Sequence, residues 1–221
     1  MTRISVPVYI LLAVVLLLGA TASTAQTTAT RSAPYPNYEV GGPASLVVTT
    51  NPAQPYAAVY QFRTKNGQPD NGLVGYTDGS GRFEIHISSL PGGIEGAYTN
   101  ERYAVGTPGS PKSSALNFTI APQGGISVGC GCEHFASQYD QFCEADVAPS
   151  TAPSGGVYQY TWTANGGYFP SPPGPFSPTV VALCANAASR LSVSVEVDLV
   201  FNGIVVSSAS RNCSSGTPIC G

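Results

Sequence analysis

The side chains with the most chemical potential are thiols. Six cysteines, Cys130, Cys132, Cys143, Cys184, Cys213 and Cys220, all lie in the second half of a 221-residue chain. An even count in an exported chain, which the N-terminus indicates, points to disulfides. Cys130, Cys132 and Cys143 also lie near His134, and zinc accepts sulfur and imidazole ligands. The spacing is not that of the usual zinc motifs, and an oxidising exterior favours disulfides, so no metal is expected. Cys130-Gly131-Cys132 has no helix start beside it to lower a thiol pKa, which argues against a redox role.

Hydrolysis has few candidates. His86 falls on the polar side of an alternating run, His134 sits beside the cysteines, and no Gly-x-Ser-x-Gly occurs. Glu133, Asp140, Glu144 and Asp146 cluster in sequence, and a pair of carboxylates is what a glycosidase needs. Glu144 and Asp146 alternate with Cys143, Ala145 and Val147, however, and read as solvated strand positions. Asp70, Asn71 and Asp78 are oxygen ligands of the calcium kind, but no Asp-x-Asp-x-Asp-Gly loop is present and turn chemistry accounts for them. No catalytic residue and no cofactor are expected, and the chain reads as non-enzymatic.

Binding is the stronger possibility. Tyr168, Phe169 and Phe176 lie in YFPSPPGPFSP, whose five prolines remove the backbone donors a central strand needs. The segment is expected to be a stiff exposed loop. Aromatics held rigidly there bind sugars or proteins at low entropic cost. The competing expectation is that they fold back over the open end of a sandwich.

The elements that must position these residues are short strands. Ser45–Thr50, Ala57–Thr64, Leu73–Thr77, Arg82–Ser88, Gly96–Val105 and Ser114–Ile120 alternate or run apolar between Gly-, Pro- and Asn-rich turns. In the cleanest of them Phe83, Ile85 and Ile87 face a core, while Arg82, Glu84 and His86 face water. The second half continues with Ser127–Cys132, Gln141–Val147, Val157–Ala164, Thr179–Cys184, Leu191–Phe201 and Ile204–Ser210. Asn202-Gly203 between the last two is a hairpin turn. No stretch has helical period, so the fold class is all-β, two tandem β-sandwiches.

The N-terminus gives the address. Arg3, an apolar run from Val6 to Ala20 and small residues through Ala25 make a cleavable export signal over 1–25. A flexible leader is expected over 26–37, a sandwich without cysteines over 38–121, a linker over 122–126 and a disulfide-stapled sandwich over 127–221. No membrane span is expected after cleavage. The formal charge of −3, without any cluster of Lys or Arg, disfavours nucleic acid and anionic membranes as partners. A protein or a glycan at the cell exterior is the expected partner, for a secreted, cell-surface or periplasmic chain.

Two sets of residues carry a resemblance. Tyr160-Thr161-Trp162 followed by Gly166-Gly167, with the hairpin VSVEVDLVFNGIVVSSAS, makes residues 130–212 similar to bacterial immunoglobulin-like and PKD-like domains. The first half resembles invasin-type immunoglobulin-like repeats through Asn66-Gly67-Gln68-Pro69, Thr77–Phe83, Gly96-Ala97-Tyr98 and Asn117-Phe118-Thr119. The resemblance implies adhesion, display or scaffolding rather than catalysis, with a carbohydrate-binding module using the aromatic loop as the alternative. In such a sandwich Cys184 would end a strand beside that of Cys143, so Cys143–Cys184 is the expected bridge. Cys130 and Cys132 would then bond to Cys213 and Cys220, in either pairing.

Overall fold

The computed structural model describes residues 24–33, 35–86, 93–134, 139–187 and 189–215. Cys220 and nearly all of the export signal lie outside the described residues. These hold sixteen strands and no helix.

In the first half, β1 (Gln26–Arg31), β3 (Ser45–Asn51) and β6 (Arg82–His86) form one sheet in the order β1-β3-β6. The facing sheet runs β2-β8-β7-β4-β5, built from β2 (Asn37–Glu39), β4 (Ala58–Lys65), β5 (Gln68–Tyr76), β7 (Gly96–Val105) and β8 (Leu116–Ala121). Among the described residues of this half, only β2 and β8 pair in parallel. Leu46, Val48 and Phe83 from the smaller sheet close on Val59, Tyr103 and Val105 from the larger.

The flexible leader expected over 26–37 is corrected. Gln26–Arg31 is a strand, in register with β3 from Gln26↔Asn51 to Arg31↔Leu46, and Thr27 is buried. Backbone pairing needs no apolar pattern, so a Thr-rich strand looks like a tail in sequence. A second attraction is ionic. Arg31 reaches inward to Glu101, its Nη2 donating to Oε1 at 2.6 Å, while Arg63 Nη1 donates to Oε2 at 3.1 Å.

The Gly-, Pro- and Asn-rich turn expected between the strands Ala57–Thr64 and Leu73–Thr77 is shorter than it reads, since β5 already starts at Gln68. Asn66 and Gly67 alone make the reversal, with φ of 50° and 81°, the type I′ pattern of a two-residue hairpin. Pro69 can then sit inside β5 because β5 is an edge strand, whose outer side needs no donor.

In the second half, β9 (Ser127–Glu133), β10 (Asp140–Ala148), β12 (Gly167–Tyr168), β13 (Thr179–Cys184) and β16 (Ser214–Ser215) form a sheet in the order β12-β13-β10-β9-β16. It faces β11-β14-β15, made of β11 (Gly156–Asn165), β14 (Ser192–Phe201) and β15 (Ile204–Asn212). Cys143, Ala145, Val180 and Ala182 pack from one side against Trp162, Val195, Val197 and Leu199 from the other.

The expected bridge Cys143–Cys184 is not formed. Cys143 sits directly opposite Cys132 on β9 and bonds to it, with Cα atoms 4.1 Å apart. On its other flank Cys143 faces Val180. Cys184 lies four residues further along β13, roughly 13 Å away, beyond the reach of any disulfide. Cys130 bonds to Cys213. Cys184 is disulfide-bonded too, in neither of these pairs.

The stretch expected as a linker is fastened at both ends. Gly124 N donates to Glu39 Oε2 of the first sandwich at 3.3 Å, and Ile126 N donates to Ser207 Oγ of the second at 3.2 Å. Ala97 of β7 is buried in the second sandwich's core cluster, and Asn202 stands against Gly67.

Candidate functional site

The aromatic loop is anchored by the strand that precedes it. Tyr158, Tyr160 and Trp162 share the inner face of β11, and burial raises the two phenols, which keeps them neutral. Trp162 is almost fully buried, yet its Nε1 donates to Ser177 O at 2.9 Å. Tyr160 N donates to Pro175 O at 2.7 Å, and Ala145 N of the opposite sheet donates to Pro178 O at 2.9 Å. Three contacts within four residues tie the end of the proline run to both sheets. Proline supplies carbonyl acceptors and no donors, so a proline-rich loop is held by donors that reach out from the strands.

This frame sorts the three aromatics. Phe169 folds back and packs against the core cluster. Tyr168, in β12 opposite Leu183, is 53% exposed, and Phe176 is 62% exposed. The covering expectation therefore describes Phe169, whereas Tyr168 and Phe176 present ring surface to water. The anchoring roles of Trp162 and Tyr160 were not read from sequence, where alternation marks both only as core.

Of the carboxylates, the structure brings Glu133, Glu144 and Asp146 together along one shallow, open hollow over β9 and β10. Glu144 and Asp146 are exposed on the outer side of β10, opposite Gly131 and Gly129, while Asp140 is buried and Glu133 is exposed on β9. His86 and His134 are exposed on different sandwiches, with His86 3.6 Å from Glu84. Asp70 pairs with Arg63 at 2.7 Å, and Asn71 Oδ1 accepts from Arg63 N at 3.0 Å. Asp78 Oδ1 accepts from Ser80 N, Ser80 Oγ and Arg82 N, bonds that hold its carboxyl below the usual range, the Ser80 hydroxyl first among them. Each oxygen set closes a turn or an ion pair instead of converging on a cation. The sulfurs of Cys130, Cys132 and Cys213 lie within 4.8 Å of one another, but all three are spent in disulfides and offer no thiolate.

Strand order defines the class. In the second half, β12-β13-β10-β9 against β11-β14-β15 is the DEBA against CFG arrangement of a constant-type immunoglobulin sandwich, with a buried Trp on strand C. In the first half, β1-β3-β6 is ABE, and β7-β4-β5 carries the additional C′ strand of the variable type. The chain is all-β, a tandem of immunoglobulin-like sandwiches. No family model and no curated protein matches the sequence. Among solved structures, a marsupial T cell receptor is similar at TM-score 0.35 and 12% identity over 86% of this chain and 62% of its own. Invasin, a bacterial integrin-binding protein, is similar at TM-score 0.36 and 13% identity over 86% of this chain and 39% of its own. The chain thus spans less than two thirds of either.

Proposed function

We propose that the chain is an extracellular, non-enzymatic immunoglobulin-like module for adhesion, display or scaffolding, which meets a protein partner through Tyr168 and Phe176. The observation that carries this reading is the exposure of two large rings on a loop tied to both sheets. A rigid loop loses little entropy on binding, and exposed aromatics dominate protein contacts. The disulfides support an oxidising compartment. A sugar ligand is the second reading, favoured by the open ring surface of Phe176.

Beads coated with the full chain are expected to adhere to cells, and Y168A/F176A to reduce adhesion at least about tenfold. Equal adhesion by the double variant would overturn the role of the loop. A glycan array separates the two readings, since a defined glycan signal that the same substitutions abolish would replace the protein partner with a sugar.

A further inference from the structure

The first sandwich has a half-open cavity of about 480 Å³, within the ~300–1,000 Å³ typical of ligand sites. It is lined from both sheets, by Val74 of β5, Ile85 of β6, Tyr98 of β7, Ile120 of β8 and Ile94. On the smaller sheet β6 is the edge, with no strand beside it among the described residues, whereas the second sandwich has β12 at the corresponding place. The half-exposed Leu73 stands at the rim.

Its polar groups set the ligand's chemistry. Arg31 and Arg63 are both held by Glu101, and Arg63 also by Asp70, so two cations meet two anions and no net charge is offered. Gln61 and Tyr103 line the cavity and are buried, at 8% and 1% exposure. Their contact is 3.4 Å long, and Gln61 Nε2 reaches Asp70 O only at 3.5 Å. Both are at the far end of hydrogen-bonding range. The Tyr103 hydroxyl also meets Glu101, so the spare hydrogen-bonding capacity of the pair lies on the weakly bonded Gln61 amide.

We infer that this cavity is a binding site for a small uncharged molecule with an apolar, ring-sized body and one hydroxyl or carbonyl, which bonds to the Gln61 amide. The site is independent of the aromatic loop and of the function proposed for it. A charged ligand is disfavoured because it would unbalance the compensated arginine and carboxylate groups.

Titration of methyl-labelled full chain with p-cresol, toluene and benzoate, followed by NMR, tests the assignment. p-Cresol is expected to shift the Val74, Ile85 and Ile94 methyls saturably, about tenfold more tightly than toluene, with benzoate weakest. Q61L is expected to reduce the p-cresol preference to less than about threefold, and V74W to abolish binding. Should V74W fail to fold, L73W at the half-exposed rim serves as the block. No saturable shift at these methyls, equal binding of toluene and p-cresol, tighter benzoate, or binding untouched by the blocking tryptophan would each overturn the proposal.

Discussion

Glu101 is fully buried, and both of its oxygens are committed, Oε1 to Arg31 and Oε2 to Arg63. Aromatic rings complete the shell, with the Arg31 guanidinium 3.8 Å from the Phe118 ring centroid, Arg63 4.6 Å from that of Tyr98, and the two rings stacked. Removing one member of such a network leaves buried charge uncompensated. E101Q is expected to lower stability by about 3–5 kcal/mol in urea unfolding, with the replacement of the whole set by apolar residues costing less. The neighbouring phenols respond to alkali. Burial pushes Tyr98 up to about 12 and Tyr103 further still, from an ordinary value near 10. The unfolded chain therefore loses protons that the folded chain keeps. Stability is complete below pH ~10 and falls by up to about 1.4 kcal/mol per pH unit for each phenol above it. Thermal melting from about pH 9 to 12 checks this, and Y98F is expected to flatten the slope.

At the scale of strands, the disulfides differ in what they close. Cys130–Cys213 spans 83 residues and Cys132–Cys143 spans 11. On the chain-entropy account they contribute about 4.6 and about 2.8 kcal/mol, so C130S/C213S is expected to destabilise the second sandwich more than C132S/C143S. Peptide mapping without reduction is expected to recover both bonds and no Cys143–Cys184 peptide. The two Asn-Gly hairpins differ in the same instructive way. Gly203 has φ of 78° and open space around it, so G203A costs about 1 kcal/mol for the left-handed backbone alone. At Gly67 a methyl group would also stand 2.8 Å from Asn202 Nδ2, so G67A is expected to cost more, which calorimetric unfolding of the two variants checks.

The two sandwiches meet where Ala97 enters the second core and Glu39 and Ser207 hold the stretch between them. Contacts of this kind restrict the angle between sandwiches, which a free Gly-rich linker would leave open. Small-angle scattering is expected to give one narrow distribution of lengths for the native chain and a broader one for A97D. In sequence, the Pro122–Ile126 stretch carries only its turn chemistry, because its partners are 81 and 85 residues distant. The aromatic loop was legible as stiff and exposed because proline acts locally. That Phe169 turns inward while Tyr168 and Phe176 do not depends on Trp162 and on the opposite sheet, and local pattern carries neither.

Sequence by itself determined what period and composition encode: an all-β class, most strand positions, the inward phase of Cys143 and Trp162, and the tight turn at Asn202-Gly203. Alternation reports which side of a strand is buried and is silent about what lies beside it. Neighbours across a sheet follow from strand order and register, which are set by backbone bonds between distant segments. Only the tertiary structure therefore decided that Cys143 meets Cys132, that polar Gln26–Arg31 is a strand, and that Arg31, Arg63 and Glu101 converge inside the first sandwich.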